Sequence, residues 1–211
     1  MKRQVWRILA LGLFCVFAAA ANQLLHNISV YYFKIPLYVD TVFNAAVCFA
    51  AGFVPGLITA LLPSLAFAVM FGSPVPPFIV CSIAEVCIVC LLKPSYPKEA
   101  SLRKAQEAAE MRQISLAEAA GIFARLMVLF IVCALAISIL GGVIDFIYHD
   151  VLSGSREYFN VEDNFKIGLL DSDIPTLVIN ILSRIPINIV DRFFVIFGGY
   201  GVALLYRKIS Q

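Results

Sequence analysis

The sequence predicts an all-α integral membrane protein, a bundle of six transmembrane helices with both termini on the cytoplasmic side. Three observations predict it. The 211 residues are 61% hydrophobic and only 14% charged, with a mean hydropathy of +0.90. An ordinary soluble domain carries about 25% charged residues, so this chain has too few polar groups to cover a soluble surface. The apolar residues also fall into six long runs, and Lys and Arg collect in alternate connections between them. Together these exclude a cytosolic enzyme, a disulfide-stapled secreted domain and a disordered chain. A net charge of +2 is too small to point to a nucleic-acid partner. The length suits a single membrane domain over residues 1–211.

Crossing a hydrocarbon core takes about 17–25 residues of helix. The expected spans are residues 5–22, 35–53, 55–71, 76–92, 121–148 and 186–206. The fifth is long enough to tilt or to project beyond the bilayer. A shorter apolar piece, 174–183, reads as an interfacial segment or a half-helix that ends before Pro186. Met1 to Ala21, with its basic start and Ala run, also has the form of a signal peptide. The second and third spans are joined by little more than Val54, with Pro55 and Gly56 suited to the turn. Gly72-Ser73-Pro74-Val75 turns the chain between spans three and four, and Pro76 and Pro77 open the next helix.

Basic residues set the orientation. Lys2, Arg3 and Arg7, then Lys93, Lys98, Arg103, Lys104 and Arg112, then Arg207 and Lys208 all fall on one side, which is read as cytoplasmic. Residues 97–120, rich in Ala, Glu, Lys and Arg, read as a cytoplasmic helix, either solvated or a docking surface. Residues 149–173 read as a long external loop containing Tyr158 and Phe159. The external loop 23–34 carries Tyr31, Tyr32 and Phe33. Such rings suit either the capping of a small organic ligand or an aromatic belt at the interface.

Several chemistries are missing. No Gly-rich phosphate-binding loop ending in Lys-Ser or Lys-Thr is present. His26 and His149 are the only histidines and lie far apart in sequence, which speaks against a metal site. Cys87 and Cys90 have CxxC spacing, but they sit in an apolar helix and read as core residues. No Ser/His/Asp set appears, and no cofactor is expected.

Charges inside spans are costly unless paired or wet, so they are the informative ones. Asp40, Asp145, Arg184, Asp191 and Arg192 all fall near the outer ends of their helices once each helix's direction is known. They read either as a salt-bridge network, such as Asp40 with Arg192, or as the polar floor of a site open to the outside. Glu85 lies deeper, without an obvious partner in sequence, and is either protonated or turned inward. The expected binding residues are Asp40, Glu85, Asp145, His149, Arg184, Asn188, Asp191 and Arg192, with Tyr31, Tyr32, Tyr38 and Tyr148 as stacking rings.

Two stretches point to a family. Ile35-Pro36-Leu37-Tyr38-Val39-Asp40-Thr41 opens a span that leads into an Ala/Gly-rich hairpin over 45–56. Ile189-Val190-Asp191-Arg192 is followed by Gly198-Gly199-Tyr200-Gly201. The chain resembles the substrate-binding S components of bacterial energy-coupling-factor (ECF) transporters, which are six-helix proteins of about this size. The resemblance implies a multi-pass protein of the bacterial cytoplasmic membrane that captures a vitamin-like micronutrient from the outside. It also implies lipid surroundings, a separate transmembrane coupling subunit and two ATPase subunits. In the family, small residues at AxxxA spacing on the first helix often face the coupling subunit. Here Ala18 to Ala21 are consecutive instead, while Ala46 and Ala50, and Gly52 and Gly56, carry small-xxx-small spacing elsewhere. A membrane sensor or scaffold without transport is the alternative reading. An intramembrane aspartyl enzyme built on Asp40, Asp145 and Asp191 lacks any surrounding acid motif.

Overall fold

The structure, a computed structural model, describes residues 2–33, 39–94, 116–152, 166, 168–169 and 173–209. All elements among them are helical. Helix α1 covers Lys2–Asn27 and runs on into a wider π-type turn, Ile28–Tyr32. The connection expected from residue 23 is therefore helical as far as Tyr32. Gln23 Nε2 donates to Asn27 Oδ1 at 3.2 Å, one turn on, so polar side chains extend the helix. Helix α2 covers Val42–Ala51 after a 3-10 turn, Val39–Thr41, and α3 covers Phe53–Phe71. The joint between them is Gly52 rather than Val54. Gly52 has φ +98°, a region that side-chain-bearing residues avoid, and its N–H donates to the carbonyls of Val47 and Cys48.

Helix α4 covers Ile79–Leu92 and α5 covers Leu116–Asp145, continued by a π-type stretch, Phe146–Leu152. Residues 149–152 are thus helical rather than loop. Most of the expected external loop and of the expected cytoplasmic helix lies outside the described residues. Helix α6 covers Thr176–Phe193, passes through a π-type stretch at Phe194–Gly198 and continues as α7, Gly199–Ile209. This corrects the reading of 174–183 as a separate piece, because Pro186 lies inside α6. Proline there removes one backbone hydrogen bond. A single buried stripe runs across it, however: Ile179, Asn180, Ser183, Ile187, Asn188, Asp191 and Arg192. Packing along that stripe carries the helix through the proline.

Among the described residues, four helical stretches are long and apolar enough to cross a membrane: Leu9–Tyr32, Phe53–Phe71, Ala119–Leu152 and Thr176–Lys208. Val39–Ala51 and Ile79–Leu92 are apolar but shorter. The core joins Cys48 and Phe49 of α2, Val86 and Val89 of α4, Leu129 and Cys133 of α5, and Val195 and Ile196 beyond α6. Outward faces are apolar too, with Leu13, Phe17, Val69, Met70 and Leu91 all exposed. A surface of that kind suits lipid and not water.

Side-chain contacts define the two ends of the bundle. At one, Phe14 stacks on Tyr206 at 4.4 Å. Lys93 Nζ donates to the Cys48 carbonyl at 3.1 Å and an Arg207 amino group donates to the Phe49 carbonyl at 3.0 Å. Those carbonyls lie in the last turn of α2, where intrahelical donors run out and negative dipole charge collects, so two cations satisfy them. At the other end Thr41, Glu85 and Arg192 meet. Between the ends, Asn22 ties α1 to α2: its Nδ2 donates to Asn44 Oδ1 and its Oδ1 accepts from the Phe43 N–H, each at 2.9 Å. Helices α5 and α6 approach closely at Gly142, where an added Cβ would lie 2.7 Å from the Ile181 Cα. That approach lets Asp145 and Arg184 face each other.

Candidate functional site

The second end holds a cavity of about 300 Å³, at the small end of the range for ligand sites. Five helical elements line it at helical spacing. Phe78, the residue that precedes α4, and Cys81, Ser82 and Glu85 on one face of that helix form one wall. Ile137, Gly141, Asp145 and His149 recur every fourth residue along α5 and its extension, and Arg184, Asn188 and Arg192 do so along α6. His26 closes the side from α1, and Asp40 and Thr41 do so from the 3-10 turn before α2.

At its floor, the Arg192 guanidinium pairs with both Glu85 and Asp191. Its NH1 also donates to Thr41 Oγ1 at 3.0 Å, and the Thr41 hydroxyl donates onward to Glu85 Oε2 at 3.0 Å. Glu85 is 1% exposed and Asp191 0%. Buried carboxylates at that depth require a cation, and a forked guanidinium serves two at once. The arrangement leaves Glu85 Oε1 and Arg192 Nε buried with no hydrogen-bond partner among the described residues.

A second cluster forms the α5–α6 wall. Lys166 Nζ donates to Asp145 Oδ2, while an Arg184 amino group lies 3.5 Å from Asp145 Oδ1. His149 Nε2 is 3.6 Å from the same oxygen, one turn along the helix. Arg184 also lies over the Phe78 ring, 5.0 Å from its centroid, a cation–π contact that fixes the guanidinium plane. Asn188 Nδ2 donates to Ser138 Oγ at 3.0 Å, binding the two helices just below. The π-type stretches begin directly after Asp145 and two residues beyond Arg192. Such bulges often accompany functional positions because they redirect side chains.

The rim is formed by Asp40 and His149, both partly exposed, with His26 Nδ1 4.0 Å from Asp40 Oδ2. The expected Asp40–Arg192 pair is therefore not the one formed. Thr41, the next residue, points at Arg192, and Asp40 is left at the rim beside His26. Glu85 is turned inward, as one of its two readings had it, and its partner is Arg192.

Of the binding residues read from sequence, Asp40, Glu85, Asp145, His149, Arg184, Asn188 and Arg192 line this one cavity. Asp191 stands behind Arg192 and does not line it. Tyr148 is half exposed, with its ring edge-on to His149. Tyr31 and Tyr32, 74% and 81% exposed, line a separate shallow depression with Phe33. Tyr38 lies outside the described residues. Sequence reasoning missed His26, Thr41, Phe78, Cys81, Ser82, Ile137 and Gly141. Most of these are one or two turns from a charge already singled out, so helical spacing would have found them. Lys166 carried no such signal.

All six cysteines are free thiols, and Cys81 is the one that lines the cavity. Among the described residues, no three His, Cys, Asp or Glu side chains stand together to hold a metal ion. The arrangement suits reversible binding: fixed charges of both signs, an aromatic wall at Phe78, and a largely apolar surround. No family model, curated protein or solved structure matches the chain.

Proposed function

We propose that this chain is the substrate-capture subunit of a vitamin-like micronutrient uptake transporter of a bacterial cytoplasmic membrane. In this reading it holds a small molecule near the outer face and relies on separate coupling and ATPase subunits. One observation carries the capture role: a cavity at one end of an apolar bundle, lined by ionisable groups from five helical elements. Charge is expensive at membrane depth, and a bundle needing only stability is served as well by apolar contacts. The dependence on coupling and ATPase subunits rests on the resemblance carried by residues 35–41 and 189–201.

The topology proposed is six crossings with both termini inside, two of them made by the shorter helices Val39–Ala51 and Ile79–Leu92. Lys93 and Arg207 mark the cytoplasmic end, and the cavity faces outward. The test is purification of the full chain from its native membranes in mild detergent, followed by mass spectrometry of the bound proteins and of the denatured extract. The expected result is about one small molecule per chain, together with a coupling subunit and ATPases. An empty chain that brings down a kinase or cell-wall proteins would make it a sensor or scaffold.

A further inference from the structure

Two carboxylates in the cavity lining, Glu85 and Asp40, keep acceptor capacity that the protein does not use. Both donors to Glu85, the Thr41 hydroxyl and the Arg192 guanidinium, reach Oε2. Its other oxygen, Oε1, is buried with no hydrogen-bond partner among the described residues. Oε1 is therefore what Glu85 has left to offer an entering group. Asp40 stands at the rim with its side chain 40% exposed, and its ion-pair partner there, His26 Nδ1, is 4.0 Å from Oδ2, beyond hydrogen-bond reach. Thr41 follows Asp40 in the chain and donates to Glu85, so the two carboxylates lie within one small molecule's length. A buried carboxylate oxygen without a donor is costly, and a charged N–H removes that cost best. Arg192 does not fill this place, because it is engaged by Glu85 and Asp191. Its own orphaned atom, Nε, belongs to a guanidinium whose charge two carboxylates already balance, so it calls for a neutral lone pair and not for a further anion.

Resting on the reading of this cavity as a capture site, we propose that its ligand is a small organic cation, a protonated amine or amidine, whose N–H groups donate to Asp40 at the rim and to Glu85 Oε1 at the floor. The rim carboxylate meets the cation first, and the buried one holds it. A cavity of about 300 Å³ holds the volume of about ten water molecules at about 30 Å³ each, which suits such a head group on a single ring. An organic anion would face both carboxylates and leave Glu85 Oε1 without a donor. A neutral molecule lacking N–H groups would leave the same oxygen unmet.

The test uses the full chain in detergent and isothermal titration with three probes of one size and shape: benzamidinium, benzamide and benzoate. They differ in the charge of the same group. Benzamidinium should bind about tenfold to a hundredfold tighter than the other two, the value of one charge-assisted hydrogen bond. Asp40→Asn, a change at the exposed rim, should cut that preference about tenfold, and Glu85→Gln should cut it as well. Benzamide or benzoate binding as tightly as benzamidinium overturns the cation, and so does a preference that survives both substitutions. If no probe binds, the compound recovered from the denatured chain decides. Its retention on a cation exchanger at neutral pH supports the proposal. Its passage through that resin overturns the cation and leaves the capture site standing. A chain that binds no probe and yields no compound overturns both.

Discussion

Arg192→Gln is the perturbation that reads the buried network most strongly. The guanidinium is nearly inaccessible and pairs with two carboxylates that are 1% and 0% exposed. Glutamine keeps some length and a donor for Thr41, but it removes the positive charge. Glu85 and Asp191 are then left facing each other in an apolar surround. Removing one partner of a buried pair costs about 3–5 kcal/mol. In a chain of this size that lowers the melting temperature by about 6–20 °C, at about 2–4 °C per kcal/mol. The assay is thermal unfolding in one detergent at fixed protein concentration, followed by loss of the monodisperse peak. Glu85→Gln alone costs less, because Arg192 keeps Asp191. The double variant, Glu85→Gln with Arg192→Gln, falls short of the sum by about 0.5–3 kcal/mol, the coupling expected of groups in contact. Arg192→Lys restores charge but not the fork and recovers only part of the loss. An Arg192→Gln protein that melts within about 2 °C of the parent, under 1 kcal/mol on the same scale, would refute the network.

Further outcomes follow from the packing and from the proposed orientation. Gly142→Ala places a Cβ 2.7 Å from the Ile181 backbone and should destabilise by about 1–3 kcal/mol. Gly141→Ala meets only the Arg184 side chain at 3.3 Å and should cost less in the same unfolding assay. Asn22→Ala strips donors and acceptors from Asn44 and the Phe43 N–H, a loss of about 1–3 kcal/mol that Asn22→Asp should partly restore. A green fluorescent protein fused after Lys208 should fluoresce and an alkaline phosphatase fusion there should be inactive, and the opposite pattern would invert the proposed orientation.

The long apolar runs were legible because a bilayer-length helix has few other uses, and α3 and α5 lie close to where hydropathy puts them. The ends were less legible. Hydropathy alone made Pro186 a boundary, whereas the buried stripe on α6 continues on both sides of it. Polar residues at 23–27 looked like loop, yet the helix runs through them to Asn27. In the site, convergence was readable, since helix direction plus position along the run brings Asp40, Asp145, Arg184 and Arg192 to one end. Pairing was not readable. Whether Arg192 reaches Asp40 or Glu85 depends on how each helix is rotated, and a 3-10 turn that sends Thr41 inward and Asp40 to the rim leaves no mark in composition. Lys93 and Arg207 were read only as orientation signals. Their second task, capping the carbonyls of the short α2, follows from where that helix stops.

The proposed ligand cavity opening to the outside can be tested at Cys81, which lines the cavity wall. Intact cells are treated with a small, membrane-impermeant thiol reagent, and modification of the Cys81 peptide is followed by mass spectrometry. Cys81 should react from outside, react faster than the buried Cys15, Cys48 and Cys133, and be protected by the compound recovered from the purified chain. A Cys81 that reacts only in inverted membranes, or that the recovered compound leaves unprotected, would contradict it.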